Sequence, residues 1–250
     1  MTTRWPFHDF GGDGPTVIAL HGHFGSSETF RSFARQLSGR LHIVAPDQVG
    51  HGSAPAHLPL SPATYVDRMI AFIEQHSSGP VHLYGHSMGG THALLIAAAR
   101  PELVKSLILE EGAAVVGPAV LDQSGWAVRA STFLKLADMV RAQGIEDPYY
   151  FLESAVRFSD GWGFPFDYAA MKQSQLDSIG DYSKEWASTT APALLIRGKR
   201  SRLFSGETAD RMAAARPGVR LAEFEAGHWV HNDALVALAD VVAEFVYAND

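Results

Sequence analysis

Residues 81–99 read VHLYGHSMGGTHALLIAAA. Val81–Tyr84 is a short apolar run of strand length, and Met88–Ala99 is an Ala/Leu-rich stretch of helical length that stops before Pro101. Gly85-His86-Ser87-Met88-Gly89, a G-x-S-x-G run, joins the two. The pentapeptide alone is only moderately specific, because Gly and Ser are common; its place between a strand and a helix raises its weight. A serine at so tight a turn takes a strained backbone and holds its hydroxyl above the sheet. Gly85 and Gly89 leave room for neighbouring backbone to approach closely. The helix opening at Met88 also points free N–H groups toward any anion near Ser87. The bland alternative is a glycine-rich turn with an ordinary serine.

The same alternation of short apolar runs and helical segments extends on both sides. Strands are expected at Thr16–Leu20, Leu41–Ala45, Ser106–Glu110, Ala193–Arg197 and Arg220–Phe224. Their continuous apolar character fits strands buried on both faces. Ser61 as N-cap with Pro62 at the first helical position opens a helix to about His76. Ala234–Tyr247 carries apolar residues at Leu235, Leu238, Val242 and Phe245, the spacing of an amphipathic terminal helix. The pattern predicts an α/β fold, a mostly parallel sheet flanked by helices. One interval breaks the rhythm, because residues 111–192 separate two strands where a single helix would suffice. It is rich in aromatics, among them Trp126, Tyr150, Trp162, Phe164 and Trp186, and contains the loop-like SDGWGFPFD at Ser159–Asp167. Residues 1–114 and 188–250 are therefore read as the core, and 115–187 as a mostly helical cap inserted between two strands. Extra core helices are the alternative.

Composition narrows the chemistry. The chain has 250 residues, no cysteine and twelve histidines, which excludes disulfides, thiolate nucleophiles and Cys-ligated metals. At 46% hydrophobic and 19% charged it can bury a large core. A net charge of −7 argues against a nucleic-acid partner. The start, MTTRWPFHDF, lacks the apolar stretch of a signal peptide, and the run Ala93–Ala99 is too short to span a bilayer, so no membrane partner and a cytoplasmic location are expected. The spacings His21-x-His23 and His228-x-x-His231 sometimes hold metals, but neither continues into a metal signature, and neither a metal nor a cofactor is expected.

Three further motifs accompany the Ser87 turn. They are Leu20-His21-Gly22-His23-Phe24-Gly25 after a strand, Asp47-Gln48-Val49-Gly50-His51-Gly52-Ser53 after the next, and Ala226-Gly227-His228-Trp229 after the last. With these, the chain resembles the α/β-hydrolase superfamily over essentially its whole length. They look like its HG-x-x-G oxyanion loop, its D-x-x-G-x-G-x-S turn and the loop that delivers its histidine. The resemblance implies Ser87 as nucleophile and His228 as general base, with His231 the nearest competitor. It assigns the oxyanion hole to the N–H groups of Met88 and His23, with Phe24 as fallback.

The third triad member departs from the pattern. In most relatives an Asp follows the strand matching ALLIR, but here that loop reads Arg197-Gly198-Lys199-Arg200-Ser201-Arg202, with no carboxylate before Glu207. Some branches place the acid at the end of the strand matching Ser106–Glu110, the sixth of the family's sheet. That alignment selects Glu111, and strand alternation sends Glu110 to the opposite face. Arg202 would then stabilise Glu111 or bind an anionic substrate group, unless it is merely a solvated base. Ser87 in place of Asp argues against dehalogenase and epoxide-hydrolase chemistry. The expected activity is cleavage of a carboxylic ester or lactone of a small to medium hydrophobic substrate, in a pocket drawn from His86, Trp229, Trp126, Trp162 and Phe164. A non-catalytic receptor, or a C–C hydrolase or cofactor-free lyase on the same scaffold, are the alternatives. Oligomeric state is not readable from the chain.

Overall fold

The turn at Ser87 stands at the centre of a seven-stranded sheet. The computed structural model describes residues 5–121, 124–145 and 147–250. Its strands are β1 (Phe7–Asp9), β2 (Thr16–Leu20), β3 (His42–Pro46), β4 (Val81–His86), β5 (Val104–Glu110), β6 (Val115–Val116), β7 (Val156–Phe158), β8 (Gly161–Gly163), β9 (Gly180–Asp181), β10 (Ala193–Gly198) and β11 (Val219–Phe224). Its helices are α1 (Arg31–Leu37), α2 (Pro62–His76), α3 (Met88–Ala99), α4 (Phe133–Arg141), α5 (Tyr149–Leu152), α6 (Tyr168–Asp177), α7 (Ser183–Ser188), α8 (Gly206–Ala214), α9 (Val230–Asp233) and α10 (Leu235–Tyr247). The main sheet runs β1-β3-β2-β4-β5-β10-β11, parallel throughout except for β1, which pairs antiparallel with β3. This is the α/β-hydrolase architecture expected from the sequence. The strand ending at Glu110 is the fifth in this sheet.

Alternation along the strands divides the core. Val17, Ala19, Tyr84, Ile108 and Ile196 face α1 and α10, meeting Phe33, Leu37, Leu238 and Val242. Ile18, Leu83, Leu107, Leu109 and Leu195 face the other way, toward Met69, Phe72, Leu94 and Met212 of α2, α3 and α8. Each fully buried aliphatic or phenyl side chain contributes about 1.5–3 kcal/mol, so both layers are strongly held. As the sequence predicts, Ser61 caps α2, its side chain accepting from the Thr64 N–H.

The interval after β5 is less helical than its composition implies. Ser159–Asp167 is not a plain loop: it turns β7 into β8 as a hairpin and ends on Asp167, whose side chain caps α6. Gly161 makes the turn possible with φ 147°, and a Cβ there would lie 2.5 Å from the Ala130 carbonyl oxygen. The chain also rejoins the core earlier than residue 188. Trp186 of α7 is buried among α2 and α3 residues, and its indole N–H donates to the Met212 carbonyl at 2.8 Å. The remainder of the interval packs Trp126, Leu136, Phe151, Phe164 and Phe166 over Phe24, Val49 and Met88, which lie at the C-terminal ends of the strands. Among the described residues no helix is long and apolar enough to cross a membrane.

Candidate active site

Ser87 leaves β4 with φ 53° and ψ −117°, a left-handed conformation that a side chain adopts only under constraint. The surrounding glycines supply the constraint. A Cβ at Gly85 would lie 2.2 Å from the Gly89 carbonyl oxygen, and one at Gly89 would lie 2.2 Å from that of Leu20. The Ser87 N–H donates to the Glu110 carbonyl at 2.8 Å, tying the turn to β5. Met88, the first residue of α3, offers an N–H with no intrahelical acceptor.

At the end of β5 the chain turns again, and Glu111 takes φ 55°. Its direction is therefore set by this turn rather than by strand alternation alone. One carboxylate oxygen accepts from the Gly198 N–H at 2.8 Å. The other accepts from Ser201 Oγ at 2.5 Å and from His228 Nδ1 at 2.9 Å. The loop that lacks the usual Asp thus contributes two donors to a carboxylate arriving from the neighbouring strand. Nothing in the sequence singles out Ser201 and Gly198 as site residues, although Ser201 lies in the loop where most relatives carry the Asp. An imidazole whose Nδ1–H is held in this way keeps Nε2 as the proton acceptor. Ser87 and His228 line the same cavity, and among the described residues the Ser87 hydroxyl makes no hydrogen bond. Such links are often long in ligand-free sites and tighten on binding.

Glu110 and His231 form a second pair. Glu110 lies on the Tyr84 and Ile108 face of the sheet, and its carboxylate accepts from the Tyr84 hydroxyl, from His231 N–H at 2.9 Å and from His231 Nδ1 at 2.8 Å. Burial alone would push the Glu110 carboxyl up, but the His231 imidazole and the hydrogen bonds from His231 and Tyr84 hold it down at about 2. Burial likewise opposes charging of His231, and the Glu110 carboxylate overcomes it, raising the imidazole above its usual range. His86 connects the two pairs: its Nε2–H donates to the His228 carbonyl at 3.0 Å, and burial keeps the ring neutral. His86, Glu110 and His231 bring ligand-type atoms within 4.8 Å of one another, the one such group among the described residues. Since the Glu110 oxygens are occupied by Tyr84 and His231, the group fits an ion pair better than a metal cage.

The HG-x-x-G loop is built on neutral histidines. His21 Nδ1–H donates to the Gly22 carbonyl at 2.8 Å, and Nε2 accepts from the Gln48 N–H at 3.0 Å, which fixes its tautomer. Burial lowers the pKa of His21, His51 and His92, the last to about 3. His23, also lowered by burial to about 3, joins Ser174 of α6 at 3.1 Å. Its side chain therefore has a partner in the interval over the sheet. Asp47 closes its own turn, accepting from the Ser27 and Ser53 N–H groups at 2.7 and 2.8 Å.

The cavity over Ser87 measures about 470 Å³. His23, Phe24, Met88, His86, Trp229 and Arg202 line it, as do Tyr150 and Phe151. Trp126, Trp162 and Phe164, expected in its wall, are not. Trp126 and Phe164 are fully buried behind Phe151, and Trp162 packs edge-on against Phe133. Their place is taken by aliphatic residues of the 115–121 segment, such as Val116 and Val120. Aromatic content revealed that the interval has a core but not which rings face inward. Tyr150 lay within the aromatic run noted in the sequence, and its hydroxyl meets the His23 carbonyl at 3.3 Å.

Comparison with known proteins places the chain in a family. The chain is 26% identical over 253 residues to the sn-1-specific diacylglycerol lipase ABHD11 of Mus musculus, covering 93% of this chain and 81% of the relative. It is 27% identical over 218 residues to the 2-(acetamidomethylene)succinate hydrolase of Mesorhizobium japonicum, covering 82% and 78%. A solved E-2-(acetamidomethylene)succinate hydrolase superposes with a TM-score of 0.82 at 22% identity, covering 96% of this chain and 94% of that one. A family profile matches residues 17–241, and the chain belongs to the alpha/beta hydrolase family.

Proposed function

We propose that the chain is a serine hydrolase that cleaves a carboxylic ester or lactone of a small to medium hydrophobic substrate, with Ser87 as nucleophile, His228 as general base and Glu111 as triad acid. The observation that carries this reading is the Glu111 carboxylate, held by Gly198 and Ser201 and accepting from His228 Nδ1 at 2.9 Å, beside a cavity that Ser87 also lines. In this mechanism Ser87 Oγ attacks the carbonyl carbon while His228 Nε2 takes its proton. The N–H groups of Met88 and His23, or Phe24 in place of His23, receive the oxyanion. Collapse expels the alkoxide, which leaves as the alcohol with the proton from His228. Water, deprotonated by His228, then releases the acid from Ser87. Glu111 stays ionised throughout and stabilises the imidazolium. The largely apolar wall favours hydrophobic groups, and the lipase activity named for the mouse relative supports an ester bond. In this reading residues 115–182 act as a cap that keeps water from the acyl-enzyme.

Fluorophosphonate labelling together with turnover of a p-nitrophenyl ester panel tests the reading. The wild type is expected to label and to turn over, and Ser87→Ala to do neither. A wild type that neither labels nor hydrolyses any ester of the panel would leave a binding protein instead.

A further inference from the structure

Four basic residues lie from Arg197, near the end of β10, to the start of α8, and three have partners. Arg197 pairs with Glu223 at 2.5 Å, Lys199 with Glu225 at 2.7 Å, and Arg200 with the Glu225 carbonyl at 3.0 Å. Arg202 has no carboxylate or carbonyl partner among the described residues, and it is the one of the four that lines the cavity. The sequence offered two uses for it, stabilising Glu111 or meeting a substrate. The first is already served, because both Glu111 oxygens are engaged by Gly198, Ser201 and His228.

Arg202 is also the only Lys or Arg in the wall, and Glu111 the only Asp or Glu, among the described residues. Of the four lining histidines, His23, His86 and His92 are kept neutral by burial and do not compete for an anion, and His228 is engaged by Glu111. The exposed part of the same lining is apolar, with Val115, Leu121 and Leu203 each more than 40% exposed. A lone guanidinium on an apolar rim has the charge and the planar donor fork to hold a carboxylate in a two-point contact. Its position next to Ser201 places it on the His228 side of the site.

We propose that Arg202 anchors a carboxylate carried by the substrate away from its scissile bond, so that the preferred substrate is a hydrophobic ester or lactone of an acid that bears a second, free carboxylate. This rests on the serine-hydrolase reading for its turnover assay. The contact is partly solvated, so its effect on affinity is moderate and falls with salt.

The test compares p-nitrophenyl hexanoate with the mono-p-nitrophenyl esters of succinate, adipate and suberate, since the reach from Ser87 to Arg202 selects the chain length. The wild type is expected to favour at least one monoester over hexanoate in kcat/KM. Arg202→Gln should lower that value about tenfold, mainly through KM, and leave hexanoate within twofold. Arg202→Lys should recover part of the loss and Arg202→Glu deepen it. Equal loss on both ester types, or no monoester preferred by the wild type, overturns the proposal. Binding of monomethyl adipate and monomethyl suberate to Ser87→Ala protein by calorimetry separates the two readings, because it needs no turnover. Binding there that is weakened by adding Arg202→Gln supports the anchor even if no ester is hydrolysed, and absence of binding to both counts against it.

Discussion

Glu110 and Glu111 are consecutive, His228 and His231 are three apart, and each glutamate takes one histidine. The two pairs share their chemistry and differ in their surroundings. The His228 side chain is 12% exposed and lines the cavity, with Glu111 buried behind it. The His231 side chain is 1% exposed, its Nε2 has no hydrogen-bond partner among the described residues, and it is sealed beneath Tyr150 and Phe30. A carboxylate–imidazole pair can assist catalysis only where the far nitrogen of the ring meets a substrate. The inner pair instead fastens the histidine loop to β5, because the Glu110 carboxylate also accepts the His231 backbone N–H at the start of α9. Side-chain type does not separate the two pairs; access does.

Exchanging the acids for their amides is the sharpest way to break this comparison. Glu111→Gln is expected to lower ester turnover by up to about 10⁴-fold, since a triad histidine without its carboxylate takes the wrong tautomer. Glu110→Gln should keep most of the turnover at temperatures where it stays folded. The reverse pattern, an active Glu111→Gln with a dead but folded Glu110→Gln, would hand the role of triad acid to the inner pair.

Stability should show the opposite ranking. Removing one partner of a buried ion pair costs about 3–5 kcal/mol, because the other charge is left uncompensated. Glu110→Gln and His231→Phe are each expected to lose that amount in urea unfolding. The double variant Glu110→Leu with His231→Phe should recover most of it, as an apolar replacement of both partners removes the uncompensated charge. Losses that simply add in the double variant would contradict an ion pair at this position.

Acid provides a third distinction, between the inner pair and the neutral histidines around the oxyanion loop. His21, His23, His51, His86 and His92 all have lowered folded pKa values, so below about pH 6.5 the unfolded chain takes up protons that the folded protein refuses. Each such imidazole removes up to about 1.4 kcal/mol of stability per pH unit, continuing for His23 and His92 toward their folded values. Glu110, depressed to about 2, keeps its contribution until far lower pH, whereas His231, raised, loses its contribution only as pH climbs through its folded value. Urea midpoints are therefore expected to fall steadily from pH 6.5 to 5. A flat profile over that window would mean that these rings are charged in the folded state.

The sequence announces backbone constraints better than side-chain neighbours. Gly85 and Gly89 mark the elbow, because nothing larger fits against the carbonyls of Gly89 and Leu20. Each predicted strand of the sheet appears within two residues of its expected bounds, since continuous apolar runs follow from burial on both faces. The edge strand β1 carries no sequence signal, because three residues with one phenylalanine have no period. The hairpin at β7 and β8 was hidden for a related reason: its shape depends on glycine conformations and on a contact with Ala130, distant in sequence. In the same way, the family resemblance points to Glu111 and His228 by position, while nothing in the sequence shows that His231 also takes a glutamate. That pairing depends on how α9 packs against β5.

The smallest expected effect concerns Ser201, where the loop after β10 meets the Glu111 carboxylate. Its hydroxyl donates to the same Glu111 oxygen that accepts from His228 Nδ1. Ser201→Ala leaves Gly198 N–H and His228 as the remaining donors, so Glu111 stays partly satisfied and the fold should hold. A hydrogen bond to a charged group contributes about 1.5–3 kcal/mol, and only the part expressed in the transition state slows turnover. We expect roughly a tenfold fall in kcat with little change in KM, since no substrate contact is removed. An Asp placed there, Ser201→Asp, would set a second carboxylate against Glu111, and like charges that close disfavour each other's ionisation. Paired with Glu111→Gln, the same Asp stands at an acid position of the loop, and recovered turnover in that double variant would mean that the two loops are alternative places for one carboxylate. Continued inactivity would mean that the geometry here accepts the acid only from β5.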